Sequence, residues 1–326
     1  MKILISAPTG IVGRKIVPEL LAPEFFVRVI TRNPSSIPRE IRDQVDIVHG
    51  SATDLNVLRE ALEGIDALFW SGSCQPTQES NGRNRYERFV QAASDAVSKA
   101  GTARVVAIST SPASASPAIE DILNESGAAI RHLRFDWFME NLLQQAASIS
   151  GHGLLSFPLP PYVPIPMIAA KDIADVALRF LVRTDWGGIE ALSVKGADAI
   201  SFYQTAALVE CIWGRPVRYE EIPTGKYRQA QITCGVSTES ADAMLELFCS
   251  FTGRSGRIEP ASVRATTPTT LTGWLRSELL PLLKQCEQQK EIDGASAQIL
   301  ERKTSNKGSC REFPPERPQF FESLLT

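Results

Sequence analysis

The chain has 326 residues, of which 43% are hydrophobic and 22% are charged, and its formal net charge is −3. A chain of this length and composition can bury a substantial core, either as one large α/β unit or as two domains that share a cleft. The small acidic excess excludes the basic field that attracts nucleic acid or an acidic membrane surface, so we expect no nucleic acid and no membrane among its partners.

The apolar runs and the cysteines argue against an exported or metal-binding protein. No apolar run reaches the length of a signal peptide core or a membrane span. The six cysteines form no Cys-x-x-Cys pair and the three histidines are scattered, which argues against a zinc site or a disulfide framework. We therefore expect a cytoplasmic protein with reduced thiols and no metal site.

Residues 2–21 read as a strand, a tight turn and a helix, and the turn places Ala7, Gly10 and Gly13 at intervals of three. The first backbone N–H groups of a helix lack intrahelical partners and lie at the positive end of the helix dipole, a combination that binds pyrophosphate. Glycine-spaced turns also join strands to helices in proteins that bind no nucleotide, so this interpretation requires support from the rest of the chain.

The second predicted strand, residues 26–31, ends at Arg32 with no carboxylate beside it. In a nucleotide-binding βαβ unit, an acidic residue at this point accepts from the ribose of NAD, whereas an arginine accommodates the additional phosphate of NADP. A surface arginine is also common on loops. Together with the preceding turn, Arg32 favours NADP(H) as the cofactor.

Strands and helices alternate through the first 150 residues. β-rich runs recur near residues 2–6, 26–31, 45–50, 65–70, 104–108 and 128–133. This alternation predicts an α/β fold with a doubly wound parallel sheet and a ligand at the carboxyl ends of its strands. We expect a nucleotide-binding domain over 1–150, a smaller α+β substrate-binding region over 151–284 and a weakly ordered tail over 285–326. Helices are also predicted at 136–147 and 173–182. We expect Asp136 and Asp172 to be their N-cap residues.

Small and polar residues follow the predicted strands at the edge where a ligand would lie. Asp54 comes after the third strand and is predicted to cap the next helix, with the adenine amino group as an additional partner. Ser71 and Gly72 follow the fourth strand, where backbone can approach a cofactor. Ser109 and Ser111 follow the fifth strand, and either they face the nicotinamide and substrate or they belong to a serine-rich turn.

Several motifs resemble the NmrA-like branch of the atypical short-chain dehydrogenases. The opening turn, Ala7-Pro8-Thr9-Gly10-Ile11-Val12-Gly13, resembles the Gly-Ala-Thr-Gly-x-x-Gly of that branch. The segment Arg134-Phe135-Asp136-Trp137-Phe138-Met139-Glu140-Asn141 is similar to its Arg-Pro-Gly-x-Phe-Met-Glu-Asn. Matches at residues 171–174, 196–202 and 267–274 extend the resemblance over residues 1–283.

The resemblance implies a Rossmann fold with NADP(H) as cofactor. The cofactor-binding residues that it and the spacing imply are Thr9, Gly10, Ile11, Val12, Gly13, Arg32, Asp54, Ser71, Gly72 and Ser109. Pro8 departs from the pattern and removes one backbone donor, so phosphate contacts are expected from Thr9 and from the N–H groups of Gly10 to Val12.

The source of a proton is the least defined part of the expected site. Extended short-chain dehydrogenases use a Tyr-x-x-x-Lys pair, but no tyrosine here has a lysine four residues later, and no lysine lies between Lys99 and Lys171. Asp136 replaces a family glycine beside the expected nicotinamide position. The candidate proton donors are therefore Ser109, Ser111, Asp136 and water.

Two functions fit these observations. The first is an NADPH-dependent oxidoreductase that reduces a small, largely apolar carbonyl, imine or activated alkene, with the Pro- and Phe-containing stretch 154–167 as one wall of its pocket. The alternative is a non-catalytic NADP(H)-binding redox sensor or regulatory protein, which the missing Tyr and Lys pair favours. A cofactor-assisted or cofactor-free enzyme of specialised metabolism is a third reading. We expect a monomer or a homodimer.

Overall fold

The computed structural model describes residues 1–71, 82–110, 117–252 and 264–290. The strands within these ranges are β1 (Lys2–Ile5), β2 (Phe26–Thr31), β3 (Asp46–His49), β4 (Ala67–Ser71), β5 (Arg104–Thr110), β6 (Ala129–Phe135), β7 (Trp137–Phe138), β8 (Leu154–Phe157), β9 (Pro164–Ile168), β10 (Ile189–Lys195), β11 (Ala199–Ser201), β12 (Arg218–Glu221) and β13 (Arg264–Thr266).

The α-helices in the same part of the chain are α1 (Gly13–Glu19), α2 (Arg39–Arg42), α3 (Leu55–Leu62), α4 (Gly82–Ala100), α5 (Pro117–Asn124), α6 (Ala146–His152), α7 (Ala170–Val182), α8 (Phe202–Trp213), α9 (Thr224–Thr233), α10 (Thr238–Phe251) and α11 (Leu271–Trp274). Short 3-10 helices cover Pro34–Ser36 and Met139–Gln145. A π-helical turn at Leu275–Leu279 continues α11, and helix then extends through residue 290.

The main sheet contains eight strands in the order β3-β2-β1-β4-β5-β6-β10-β13. Every neighbouring pair in this sheet is parallel. Strand β4 shows why the chain adopts this arrangement, since Ala67 to Trp70 are all buried and such continuous apolar runs are typical of strands covered on both faces. The predicted doubly wound parallel sheet is confirmed.

Two apolar clusters cover the two faces of the main sheet. One contains Ile16 of α1 and Ile173 of α7, and the other contains Leu58 of α3 and Val90 of α4. Because the helices alternate between faces, the chain leaves β1 and β4 in opposite directions. The carboxyl ends of these two strands therefore border the crevice in which doubly wound sheets bind ligands.

A third apolar cluster forms the core of the C-terminal region. Its centre is aromatic, with the rings of Phe157 and Phe202 stacked at a centroid distance of 4.2 Å and Trp137 edge-on to both. The small sheets β11-β9-β7 and β12-β8 surround it. The cluster begins at Trp137, so this core starts before residue 150, and the helix that runs through residue 290 extends into the stretch predicted as a tail.

The helix predicted over 136–147 starts too early, since Met139–Gln145 form a 3-10 helix and α6 begins only at Ala146. Trp137 and Phe138 instead form β7, which pairs in parallel with Met167 and Ile168 of β9. Strand pairing therefore outweighs the helical pattern at residues 137 and 138, and helical structure begins only at Met139. Asp136 consequently caps no helix.

Asp172 is also not an N-cap. Helix α7 begins at Ala170, and the carboxylate of Asp172 accepts hydrogen bonds from the backbone N–H and the hydroxyl of Thr269. The N–H of Ala170 instead donates to both carboxylate oxygens of Glu140, each at 3.0 Å. Burial raises the pKa of Glu140 above its ordinary value. This contact joins the Phe-Met-Glu-Asn segment to the start of α7.

Gly196 follows β10 at a point where there is no space for a side chain. A Cβ at this position would lie 1.7 Å from the carbonyl oxygen of Met167. Only glycine permits this close approach between β9 and the end of β10.

We expect Gly196→Ala to lower the free energy of unfolding by about 1–3 kcal/mol, because the added methyl group forces the two backbones apart. Gly187→Ala is the matched control, since nothing lies within 4 Å of a Cβ at that position. Urea unfolding of both variants, followed by circular dichroism, measures the difference. Equal stability of the two variants would contradict the assigned contact.

Candidate cofactor and active site

The crevice between β1 and β4 is closed at its base by a contact between two serines. The backbone N–H of Ser71, the last residue of β4, donates to the hydroxyl oxygen of Ser6 at 3.1 Å. The N–H of Ser6 in turn donates to the carbonyl of Phe69 at 3.1 Å. These bonds fix the carboxyl ends of both strands, which places Ser71 beside the glycine-containing turn as the sequence predicts. Gly72 lies outside the described residues.

The turn between β1 and α1 is tightly folded on itself. The N–H of Gly10 donates to the carbonyl of Ala7 at 3.2 Å. A Cβ on Gly13 would lie 1.9 Å from the same carbonyl oxygen, so glycine is required there. The backbone N–H groups of Ile11 and Val12 have no hydrogen-bond partner among the described residues. Of the predicted phosphate donors, Ile11 and Val12 are therefore available, whereas the N–H of Gly10 already has an acceptor.

Arg32 lies at the carboxyl end of β2 and is exposed. Its neighbours are held in place, since the hydroxyl of Thr31 accepts from the N–H of Asn33 at 3.2 Å and the side chain of Asn33 caps the following 3-10 helix. Within the described ranges Arg32 has neither an ion pair nor a hydrogen bond. A fixed backbone thus carries a guanidinium group that is free to bind an anion.

Asp54 caps α3, as predicted, by accepting from the N–H of Asn56 at 2.8 Å. It is exposed. Because a carboxylate has further lone pairs, the cap leaves an acceptor for a second donor. Thr9, in the turn, is half-buried.

Ser109, near the end of β5, contacts a buried histidine on the neighbouring strand. Its hydroxyl oxygen lies 3.5 Å from Nδ1 of His132, and Nε2 of His132 lies 2.8 Å from Oδ1 of Asn124. With Asn124 as acceptor, Nε2 carries the proton and Nδ1 has a lone pair for the hydroxyl of Ser109. Burial lowers the pKa of His132 below its ordinary value, which favours this neutral form.

Glu120 and Arg134 form a bidentate ion pair next to this histidine. Nε and Nη2 of Arg134 donate to the two carboxylate oxygens of Glu120 at 3.0 and 2.5 Å. Burial raises the pKa of Glu120, but the hydrogen bond and the positive charge of Arg134, together with a hydrogen bond from Ser109, outweigh it. The pKa of Glu120 is therefore below its ordinary value, and the carboxylate is ionised at neutral pH.

Asp136 forms an ion pair with Lys195, whose Nζ lies 2.5 Å from the carboxylate. The two residues come from adjacent strands of the main sheet. Because Ser193 of β10 is in register with Arg134 of β6, the residues two positions later, Lys195 and Asp136, also face each other. The Asp136 side chain is 10% exposed and that of Lys195 is 27% exposed, so the pair is partly desolvated at the carboxyl edge of the sheet.

The structure therefore brings Ser109 and Asp136 to the same sheet edge, whereas Ser111 lies outside the described residues. The spacing of the sequence did not indicate His132, Glu120 or Lys195 as parts of this edge. Across the described ranges, no group of three or more His, Cys, Asp or Glu residues could hold a metal ion. No helix in this part of the chain is long and apolar enough to cross a membrane.

Acidification should destabilise the protein through His132. Its folded-state pKa is lowered, so the unfolded chain binds a proton more readily, and stability falls as the pH drops below the ordinary value of 6.5. We expect His132→Gln to flatten the decline in unfolding free energy between about pH 7.5 and pH 5.5. Urea unfolding at several pH values measures this slope. His152→Gln, which replaces an exposed histidine, is the control and should retain the slope of the unmodified protein.

Sequence comparisons identify the relatives of this chain. A family described as NAD(P)H-binding matches residues 8–145. The (4-alkanoyl-5-oxo-2,5-dihydrofuran-3-yl)methyl phosphate reductase of Streptomyces griseus is 31% identical over 240 residues, which cover 70% of this chain and 79% of that protein. The NAD(P)H azoreductase of Xenophilus azovorans is 29% identical over 259 residues, covering 76% of this chain and 86% of that protein.

Solved structures share the fold at lower identity. The NADPH complex of an NADPH-dependent quinone oxidoreductase from Escherichia coli has a TM-score of 0.64 and 20% identity, covering 88% of this chain and 99% of that chain. The NADP(H) complex of the Citrobacter triphenylmethane reductase has a TM-score of 0.68 and 14% identity, and the match covers 85% of this chain and 100% of that chain. By its matched sequence and its sheet, the chain belongs to the NAD(P)H-binding family of atypical short-chain dehydrogenases with a Rossmann fold.

Proposed function

We propose that the protein is an NADPH-dependent reductase of a small, largely apolar carbonyl, imine or activated alkene. The observation that carries the cofactor preference is Arg32, an exposed guanidinium without a partner among the described residues, at the end of β2. This position meets the adenosine ribose in Rossmann domains, and an arginine there accommodates the 2′-phosphate of NADP. The relatives named as reductases support the reaction class.

The glycine-containing turn fits a dinucleotide. Gly13 lets α1 pack directly against the Ala7 carbonyl, which is the role of the third glycine in dinucleotide-binding turns. The free N–H groups of Ile11 and Val12, with Thr9 beside them, would donate to its oxygens. Asp54 would accept from the adenine amino group, and Ser71 would lie along the crevice between β1 and β4.

NADPH, when bound, supplies a hydride to the substrate. The chain must then hold a proton where negative charge develops on the product. Ser109 carries a hydroxyl proton with two acceptors nearby, Nδ1 of His132 at 3.5 Å and the carboxylate of Glu120. Lys195 carries ammonium protons beside the carboxylate of Asp136. Either Ser109 or the pair of Asp136 and Lys195 would deliver the proton, while an iminium substrate would require neither.

Replacing Arg32 tests the cofactor preference. Loss of a hydrogen-bonded charge pair with the 2′-phosphate should raise the dissociation constant for NADPH by about 10- to 100-fold in Arg32→Ala, while that for NADH changes little. Isothermal titration calorimetry measures both constants. Arg179→Ala is the control, since Arg179 is exposed in the last turn of α7, away from the crevice. Equal losses for NADPH and NADH would argue against a phosphate contact.

A second pair of variants tests the proton donor. If the Ser109 hydroxyl delivers the proton, Ser109→Ala should lower kcat about 100-fold or more and weaken NADPH binding far less than that, while Ser109→Thr should retain most of the rate. Stopped-flow oxidation of NADPH with the best substrate of a carbonyl, quinone and imine panel measures kcat. An unchanged rate in Ser109→Ala, with a large loss in Asp136→Asn, would assign the proton to Asp136 and Lys195.

The sensor alternative rests on the missing Tyr-x-x-x-Lys pair and on the contact of the Ser109 hydroxyl with His132. A sensor would bind NADP⁺ and NADPH and change its affinity for a partner, with no turnover of any panel substrate. Pull-downs with and without saturating NADPH distinguish the two functions. Equal recovery of every partner under both conditions, together with NADPH consumption by a panel substrate, would exclude the sensor.

A further inference from the structure

A cavity of about 110 Å³ lies within the C-terminal region. It is lined by side chains from five elements and by the loop before α10, among them Trp137, Asn141, Phe157, Tyr227, Gln231 and Ala241. Engineered cavities of about 150 Å³ hold one benzene molecule, so this smaller space accepts at most a single ring, with any substituent extending to the rim formed by Asn141, Gln144 and Gln231.

The position of this cavity relates it to the sheet edge described above. Trp137 directly follows Asp136, which pairs with Lys195 at the carboxyl end of β10. Asn141 lies on the 3-10 helix that comes next. The chain therefore passes from the proposed proton-donating edge directly into the wall of the cavity.

Several polar groups around the cavity have no partner. Trp137 is 1% exposed, yet its Nε1 makes no hydrogen bond to any described residue. The side-chain amides of the half-buried Asn141 and Gln231 and of the exposed Gln144 also make no hydrogen bond to a described residue, but of these four groups the Trp137 N–H alone is buried from water. A buried N–H without an acceptor is unfavourable, and an acceptor supplied by a ligand would remove that cost.

The wall carries no formal charge. Among the residues that line the cavity there is no Asp, Glu, Lys, Arg or His. Burial raises the pKa of Tyr227 further above neutrality, so its phenol remains uncharged. Three aromatic side chains, Trp137, Phe157 and Tyr227, provide flat apolar surfaces. An anionic or cationic ligand would lose its hydration here without gaining an opposite charge.

We propose that this cavity binds the substrate of the reductase, and that the substrate is a neutral, single-ring carbonyl compound whose oxygen accepts the Nε1–H of Trp137. The amides of Asn141, Gln144 and Gln231 supply the remaining donors and acceptors. The assignment rests on the proposed reductase function, because it names the substrate class of that reaction. The binding itself requires no turnover.

Acetophenone is a suitable probe, since it is neutral, has one ring and offers one carbonyl acceptor. Titration into ¹⁵N-labelled protein, followed through the tryptophan indole signals, should shift the Trp137 signal, which Trp137→Phe identifies by its disappearance. The charged analogue 4-acetylbenzoate should bind at least about tenfold more weakly, because the cavity wall offers it no counter-charge.

Three variants test the lining. Trp137→Phe keeps an aromatic ring and removes the donor, so it should weaken acetophenone binding about five- to tenfold in saturation-transfer NMR. Ala241→Leu fills the space and should abolish binding, whereas Ala243→Leu, at an exposed position of the same helix, should not. Gln231→Ala lies at the half-buried rim and should weaken binding without endangering the core. Trp213→Phe, on α8 outside the cavity, controls for loss of an indole.

The outcomes separate this proposal from the reductase function. An unshifted Trp137 signal at millimolar acetophenone, or equal binding by Ala241→Leu and Ala243→Leu, overturns the pocket. NADPH oxidation by the same protein would then leave the reductase in place with its substrate elsewhere. Binding with the expected variant pattern, but no NADPH oxidation with any carbonyl of the panel, would keep the pocket and refute the reductase.

Discussion

The pairing of β6 with β10 determines the arrangement of the candidate site. Their parallel register places Ser193 opposite Arg134, and from this alignment Lys195 meets Asp136 two residues later. Gly196 then packs directly against the Met167 carbonyl of β9. One backbone ladder therefore sets an ion pair at the sheet edge and the attachment of the C-terminal core to the sheet. A slip of β10 by one residue would turn the Lys195 side chain to the opposite face of the sheet, away from Asp136.

The segment after β6 connects the two parts of the molecule. Asp136 faces the sheet edge, Trp137 enters the aromatic core, and Glu140 returns to accept the N–H of Ala170 at the start of α7. Because this segment contacts both cores, it fixes the position of one core relative to the other. The family motif that contains Met139 and Glu140 thus has a structural role in this chain in addition to any contact with ligand.

The sheet could be predicted from the sequence, because parallel strands buried on both faces appear as continuous apolar runs. The glycine-containing turn and the basic residue after β2 could be predicted as well. It could not predict Lys195 as the partner of Asp136, because strand order is not visible in residue spacing. The helix predicted over 136–147 failed where strand pairing to β9 outweighed local pattern. Nor did the residue spacing show that the buried His132 contacts Ser109 through Nδ1 and Asn124 through Nε2.

Arg32 has no acidic partner among the residues that the structure describes, on a protein whose overall charge is negative. Arg14, at the start of α1, is a second exposed cation beside the turn. Local positive potential at the mouth of a crevice attracts a polyanion before contact is made and raises its rate of capture. Since dissolved ions screen such a field over about 8 Å at physiological ionic strength, capture of the cofactor depends on the ionic composition of the surrounding solution. Release of the cofactor depends instead on the short-range hydrogen bonds of the turn.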